Sequence, residues 1–116
     1  MPASDCLFCR IVDGQIPAKV IHRDEHCLGF LDISPQAPVH ALFVPLKHIA
    51  SVNDATVEHR ELLGHLMFAA AKYAREQNVA EAGYRLVMNT NRNGGQTVFH
   101  IHLHLLAGRP MTWPPG

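Results

Sequence analysis

The chain has 116 residues, and its ten lysines and arginines balance its ten aspartates and glutamates. This length fits one domain with a single hydrophobic core and is too short for two ordinary domains. Because the chain contains no block of like charge, we expect no binding to nucleic acid or to an anionic membrane. No apolar run approaches the roughly 20 residues that span a bilayer, and no secretory leader pattern occurs, which predicts a cytoplasmic protein.

The first predicted element is a short amphipathic helix in SDCLFCRIVDGQIP, with Ser4 and Asp5 as candidate capping residues. The stretches KVIHRD and HCLGFLDI follow, rich in β-branched and bulky apolar residues, and predict a β-hairpin. After the break SPQAP, the stretch VHALFVP predicts a third strand that ends at Pro45.

From Thr56 to about Asn78, apolar residues recur at three- and four-residue steps, which predicts one long helix capped by Asp54 or Thr56. YRLVMN predicts a fourth strand and VFHIHLHLL a fifth, joined by the turn-rich TNRNGGQ. This order of elements predicts an α+β domain with one short helix, one long helix and a five-stranded antiparallel sheet.

Three histidines alternate in the fifth predicted strand, so His100, His102 and His104 are expected to share one face of the sheet. A solvated polar face explains alternation, but such faces usually carry threonine, lysine and glutamate. A zinc site is the second interpretation, because imidazole is a common zinc ligand. In the third, a neutral imidazole attacks an electrophile while a protonated neighbour donates a proton to the leaving group.

The glycine-rich stretch NGGQT immediately precedes these histidines. Gly94 and Gly95 would let backbone N–H groups approach an anion, with the side chains of Gln96 and Thr97 as further donors. A hairpin turn explains the glycines equally well and is compatible with an anion site. An imidazole row beside such a turn favours chemistry at phosphorus.

HIHLHLL has the His-x-His-x-His-x-x pattern and resembles the histidine triad superfamily of nucleotide hydrolases and transferases. Stretches from IPAKVIHRDE to the C-terminal WPPG are similar to its purine nucleoside phosphoramidase branch. The resemblance implies one HIT domain over residues 1–116 and a homodimer whose two sheets form one ten-stranded sheet. It further implies hydrolysis of purine nucleoside 5′-phosphoramidates to AMP or GMP and an amine, through a nucleotidylated histidine and with no cofactor required.

Carried over by position, the resemblance makes His102 the nucleophile and places His104 at the phosphate or leaving group, with His40 and His100 in a histidine relay. Alternation in VHALFVP predicts His40 on the same face as Leu42 and Val44, where a lone histidine is more often a buried, hydrogen-bonded core residue than a catalyst. The implied phosphate-binding residues are Asn89, Gly95, Gln96 and Thr97.

The resemblance also implies that Asp32 binds the ribose hydroxyls, although an aspartate before Ser34-Pro35 is by itself a typical turn cap. The implied purine pocket consists of apolar residues that would otherwise be ordinary core: Leu7, Phe8, Ile11, Phe30 and Ile33. In the C-terminal tail, about residues 108–116, Trp113 is implied to reach the partner protomer's active site, whereas proline and glycine alone favour a disordered tail.

The three cysteines include a Cys6-x-x-Cys9 pair, which in a reducing compartment suggests metal or redox chemistry more than a disulfide framework. Some bacterial members of the superfamily bind structural zinc through such a pair, a histidine after the third strand and the first triad histidine. The corresponding residues are Cys6, Cys9, His48 and His100. Many phosphoramidase relatives lack the cysteines and need no metal, so the cysteines also fit as small helix residues.

Two other functions remain open at this point. One is hydrolysis of dinucleoside polyphosphates, the activity of another branch of the same superfamily. The other is a purine-nucleotide-binding or regulatory module in which turnover is incidental.

Overall fold

Five antiparallel strands form one sheet in the order β1-β2-β3-β5-β4. The computed structural model describes residues 5–116, so Ser4 and the rest of residues 1–4 lie outside the described part. The strands are β1 Val20–Arg23, β2 Cys27–Leu31, β3 Val39–Pro45, β4 Tyr84–Val87 and β5 Leu103–Ala107. The helices are α1 Leu7–Val12, α2 Arg60–Glu76 and α3 Asn91–Gly94. The predicted α+β class and five-stranded antiparallel sheet are confirmed.

Helix boundaries differ from the prediction in detail. Helix α1 is capped by the Cys6 side chain, whose Sγ accepts the backbone N–H of Cys9, rather than by Asp5. Two 3₁₀ turns, Val52–Asp54 and Val57–His59, precede α2, and Thr56 caps the second of them. The four-residue α3 lies in the stretch predicted only as a turn.

Strand β5 is shorter than predicted, since it begins at residue 103 and not at residue 98. Phe43 pairs with Leu103 in the β3–β5 ladder, and in the same register Pro45 would oppose Ile101. Proline has no N–H to donate, so the ladder stops. The N–H of Ile101 donates instead to the carbonyl of Ile49 at 2.8 Å. The expectation that all three histidines lie in one strand is therefore wrong: only His104 does.

The sheet has a separate apolar core on each face. The core under α2 contains residues from the sheet and the helix, among them Phe43, Leu66, Ala70, Ile101 and Leu105. The core under α1 contains Phe8, Ile11, Leu28, Phe30, Leu42 and Val44. Apolar residues 101, 103 and 105 thus pack under α2 even though the strand starts late, which leaves the opposite face for the histidines.

Within residues 5–116, every helix is too short or too polar to cross a bilayer. The extent of the domain over residues 1–116 and the cytoplasmic location stay predictions.

Candidate active site

A cavity of about 260 Å³ opens between α1 and the sheet, on the face that carries the α1 core. Its walls include nine residues expected at a nucleotide site: Leu7, Phe8, Ile11, Phe30, Asp32, Ile33, Thr97, His102 and His104. Helix α1 supplies one apolar wall because Phe8 and Ile11 are buried three residues apart on its inner side. The sheet supplies adjoining apolar surface through Phe30, whose ring packs edge-on against Phe8 with centroids 5.4 Å apart.

Six further residues line the same cavity and were not predicted from the sequence: Ile16, Pro17, Ala18, Leu31, Leu42 and Val98. Ile16 and Ala18 flank a proline in the loop after α1, where their apolar character was the one available signal. A larger cavity of about 420 Å³ shares Leu7, Thr97 and Val98 with this one. Its lining lacks His102 and His104, so the smaller cavity is the site of interest.

His102 is held with one ring nitrogen free. Its Nδ1 lies 2.8 Å from the backbone carbonyl of His100, and a carbonyl can only accept, so Nδ1 carries the proton. In the neutral ring Nε2 then has an unshared electron pair. The Phe8 ring packs edge-on against this imidazole with centroids 5.1 Å apart. His102 is buried at the cavity wall with a nucleophilic nitrogen available.

His40 and His104 form a directed hydrogen-bonded pair. The backbone N–H of Gln36 donates to His40 Nδ1 at 3.0 Å, so the neutral His40 ring carries its proton on Nε2. His40 Nε2 lies 2.9 Å from His104 Nδ1 and donates to it. The neutral His104 ring therefore carries its own proton on Nε2. His104 lines the cavity as a hydrogen-bond donor, whereas the described lining lacks His40.

Burial keeps both rings of this pair neutral near pH 7. It lowers the pKa of His104 to about 4, with the neighbouring His102 and His40 lowering it further and Asp32 partly opposing them. Burial also lowers the pKa of His40, against the raising effect of Asp32. Donation by His104 hence rests on a neutral N–H group, so the expectation of a protonated neighbour is wrong for this ring.

The position of Asp32 is compatible with both of its expected roles, the turn cap and the ligand contact. Its Oδ1 accepts the backbone N–H of Ser34 at 2.8 Å, the turn-cap arrangement. Its Oδ2 lies 3.5 Å from His40 Nε2, and the residue borders the cavity. A carboxylate so placed can accept hydrogen bonds from a ligand's hydroxyl groups.

The glycine-rich turn is organised by Gln96, which is buried. Its side-chain amide donates to the carbonyls of Ala50 at 2.7 Å and Val98 at 3.1 Å, and its Oε1 accepts the N–H of Asn91 at 2.8 Å. Gly95 ends α3 with a φ of +84°, a backbone conformation that favours glycine. Gln96 here holds the loop that presents Thr97. Asn89, Gly95 and Gln96 are absent from the described cavity lining, and their predicted phosphate contacts stay predictions.

Cys6, Cys9, His48 and His100 form a compact group whose ligand atoms all lie within 4.8 Å of one another. His100 Nδ1 is 3.4 Å from Cys6 Sγ, 3.5 Å from Cys9 Sγ and 3.3 Å from His48 Nδ1. A zinc ion with tetrahedral bonds of about 2.3 Å to sulfur and about 2.0 Å to nitrogen requires ligand separations of about 3.3–3.7 Å. The donor set and its spacing therefore fit zinc.

The orientation of His100 agrees with a ligand role. Its Nε2 donates to the Pro45 carbonyl at 2.8 Å, which leaves the Nδ1 electron pair directed at the two cysteines. Both ring nitrogens are thus engaged away from the cavity. His100 contacts His102 through its backbone carbonyl and not through its ring.

Trp113 lies in the C-terminal tail with 83% of its surface exposed. Two arginines hold the tail: Arg85 donates to the Thr112 carbonyl at 2.8 Å, and Arg109 donates to the Gln36 carbonyl at 3.0 Å. The tail therefore follows a defined path, and Trp113 has surface available for contact outside its own chain.

Comparison with known proteins agrees with this geometry. The HIT domain family matches residues 13–111. The chain is 49% identical to the purine nucleoside phosphoramidase of Escherichia coli K12 over 109 residues, which cover 94% of this chain and 92% of that protein.

Among solved structures, a HIT family hydrolase from Legionella pneumophila superposes with a TM-score of 0.95 at 54% identity, covering 97% of this chain and 100% of that one. A histidine triad protein from Clostridium difficile superposes with a TM-score of 0.94 at 37% identity, covering 97% of each chain. The chain belongs to the HIT domain family.

Proposed function

We propose that this protein hydrolyses purine nucleoside 5′-phosphoramidates to a nucleoside monophosphate, AMP or GMP, and an amine. The observation that carries the proposal is the pairing of His102, with an unprotonated Nε2, and His104, with a protonated Nε2, at one cavity wall. This is the combination that nucleophilic displacement at phosphorus needs. The similarity to the E. coli purine nucleoside phosphoramidase supports the same substrate class.

In the proposed reaction the purine lies against the apolar surface to which Phe8 and Phe30 both contribute, and Asp32 accepts from the ribose hydroxyls. His102 Nε2 attacks the α-phosphorus, forming the N–P bond as the P–N bond to the amine breaks. The departing nitrogen takes the proton of His104 Nε2–H, and His40 shares its own Nε2 proton with His104 Nδ1. The positive charge on the nucleotidylated His102 offsets the negative charge left on the His40–His104 pair.

Water completes the proposed cycle. It attacks the phosphorus, releases the nucleoside monophosphate from His102 and returns a proton to the His40–His104 pair. The glycine-rich turn, through Thr97 and the predicted contacts of Asn89, Gly95 and Gln96, would stabilise charge on the non-bridging oxygens. None of these steps requires a metal or cofactor at the reacting atoms.

The decisive experiment measures AMP release from an adenosine 5′-phosphoramidate by wild type, His102→Ala and the control His26→Ala, with and without chelator. His26 is exposed and does not line the cavity. We expect chelator-resistant turnover in wild type and in the control, and its loss in His102→Ala. Full turnover in His102→Ala would contradict the proposal.

Two further outcomes would change the assignment. Faster cleavage of a dinucleoside polyphosphate than of the phosphoramidate would place the activity with the polyphosphate hydrolases. Nucleotide binding without turnover of either substrate, in folded wild type, would make the protein a nucleotide-binding module.

We also propose that the protein is a homodimer with a continuous ten-stranded sheet. Strand β4 is the last strand in the sheet order, which leaves one edge for a second copy. Exposed apolar side chains on α2, Phe68 at 79% and Met67 at 52%, supply apolar surface for such an interface. The proposal assigns Trp113 to the partner's active site. Sedimentation should give twice the chain mass of 12.9 kDa, and a monomer at micromolar concentration would contradict it.

The Cys6, Cys9, His48 and His100 group is proposed to hold a structural zinc ion. The ion would fix α1, which carries Phe8, to the segment that carries His102. Metal analysis of untagged protein should give one tightly held zinc per chain in wild type and in the control Cys27→Ala, and loss of it in Cys9→Ser together with a lower Tm. Full folding and activity of zinc-free wild type would remove the structural role.

A further inference from the structure

A second cluster of side chains of the kinds that bind metals lies on the α2 face of the sheet, opposite the cavity that His102 and His104 line. His22 lies on β1, Asp24 in the turn between β1 and β2, and His65 on α2. His22 Nε2 and His65 Nε2 both contact the same oxygen, Asp24 Oδ2, at 2.6 Å and 2.7 Å. The buried Cys27 thiol donates to this oxygen at 3.5 Å. Three separate elements thus bring nitrogen and oxygen donors to one point.

The carboxylate at the centre is held by the backbone. Asp24 Oδ1 accepts the N–H of His26 at 2.7 Å and the N–H of Cys27 at 2.9 Å. These two bonds fix the plane of the carboxylate and leave Oδ2 to the histidines. The turn therefore preorganises the oxygen donor, which reduces the entropy lost when a ligand binds.

Solvent reaches this group. The side chains of His22, Asp24 and His65 are 19%, 28% and 34% exposed. A cavity of about 360 Å³ opens beside His65, and its walls include the carboxylates of Glu58 and Glu61. Acidic walls attract cations from solution and raise their local concentration.

We propose that His22, Asp24 and His65 form a binding site for one divalent transition-metal ion, separate from the cysteine and histidine group at α1. Two imidazoles and one carboxylate are a donor set that suits zinc, nickel and copper, with water in the remaining positions. This group is also distinct from His102 and His104, which lie on the other face of the sheet.

Binding requires a proton shift within each neutral imidazole and a small movement of the rings. Without metal, the Nε2–H groups of His22 and His65 both donate to the Asp24 carboxylate. Taken alone, this arrangement is an ordinary hydrogen-bonded turn. When the proton moves to Nδ1, the Nε2 electron pair becomes a ligand and no proton is lost from the ring. The rings must also move outward by about 0.5 Å, because ligands that share an ion lie about 3.3 Å apart. His65 can move because it projects from the surface of α2.

The test titrates Ni²⁺ into protein purified without chelator, and measures bound nickel by equilibrium dialysis. Wild type should bind one nickel ion at this site. His65→Asn should raise the Kd for nickel by about 100-fold or more, since removal of even an outer-shell partner lowers metal affinity by about 10- to 100-fold. The matched control is His26→Asn, because the His26 ring packs against His65 at 5.0 Å but its Asp24 contact is through the backbone. It should bind as wild type does.

Two more measurements keep the proposal falsifiable if a variant is perturbed. Asp24→Asn retains an oxygen that accepts the two backbone N–H groups, so it should fold and yet lose affinity. In NMR spectra of wild type, paramagnetic Ni²⁺ should broaden the ring signals of His22 and His65 before those of His59. Equal nickel affinity in wild type and His65→Asn, or an equal loss in His26→Asn, would overturn the proposal. Phosphoramidate turnover should be the same in wild type and His65→Asn.

Discussion

Replacing His104 by asparagine should remove a large part of the protein's sensitivity to acid. The ordinary pKa of a histidine is 6.5, whereas burial, with the neighbouring His102 and His40, lowers the pKa of His104 to about 4 in the folded chain. Between these values the unfolded chain binds a proton that the folded chain excludes. The contribution of His104 to the unfolding free energy is therefore fully present above about pH 6.5 and is lost as the pH falls towards 4. Below pH 4 the loss levels off, because His104 is protonated in both the folded and the unfolded chain.

The size of the effect follows from the two pKa values. A difference of one pKa unit corresponds to about 1.4 kcal/mol, so lowering the pH from 7 to 4 should cost about 3 kcal/mol of unfolding free energy through His104. A domain of this size is expected to be stable by about 5–15 kcal/mol, so the loss is easily measured.

Urea unfolding at pH 7 and at pH 4, for wild type and His104→Asn, isolates this contribution. Asparagine cannot titrate, and the cysteine and histidine group at α1 is the same in both proteins, so its own acid response cancels in the difference. The variant should lose about 3 kcal/mol less than wild type between the two pH values. An identical loss in both proteins would refute the reasoning about His104.

Three other substitutions test separate parts of the structure. Phe8→Ala removes a buried ring that packs on His102, and should lower the unfolding free energy by about 3–5 kcal/mol in urea and raise the KM; an unchanged KM would exclude Phe8 from the substrate pocket. Gly108→Ala should destabilise by more than about 1 kcal/mol, because φ is +95° and the new Cβ would lie 2.8 Å from Pro38 Cβ; a neutral melting temperature would show that the tail adapts. Trp113→Ala should change the unfolding free energy of the chain itself by less than about 0.5 kcal/mol, since the ring is exposed within its own chain, yet lower kcat/KM for bulky amine leaving groups; an unchanged kcat/KM of the variant for bulky amines would contradict its role.

The positions of the main helices and strands can be predicted from the spacing of apolar residues, which is visible in the sequence itself. The α2 stripe and the alternation in β3 are strong signals because tertiary packing and local pattern agree there. Alternation also placed His40 correctly beside Leu42, on the face under α1. These features needed no knowledge of long-range contacts.

The start of β5 could not be predicted in the same way. Residues 98–102 alternate as a strand does, but their conformation depends on Pro45, which is more than 50 positions earlier. The inward turn of Gln96 likewise depends on carbonyls of Ala50 and Val98 that become neighbours only in the folded chain. His100 was assigned to two roles from sequence, and only its hydrogen bond to Pro45 shows which way its ring faces.

Backbone hydrogen bonds largely determine which ring nitrogen of each histidine at this site carries the proton. His40 accepts a hydrogen bond from the backbone N–H of residue 36, His100 donates one to the carbonyl of residue 45, and His102 donates one to the carbonyl of His100. A backbone group survives nearly every side-chain replacement, so the tautomers should tolerate wide sequence drift at positions 36 and 45. Proline at position 36 is the informative exception, because it alone among the twenty residues lacks the backbone N–H that donates to His40 Nδ1. Gln36→Pro would therefore remove the bond that sets the tautomer of His40 while leaving every histidine in place.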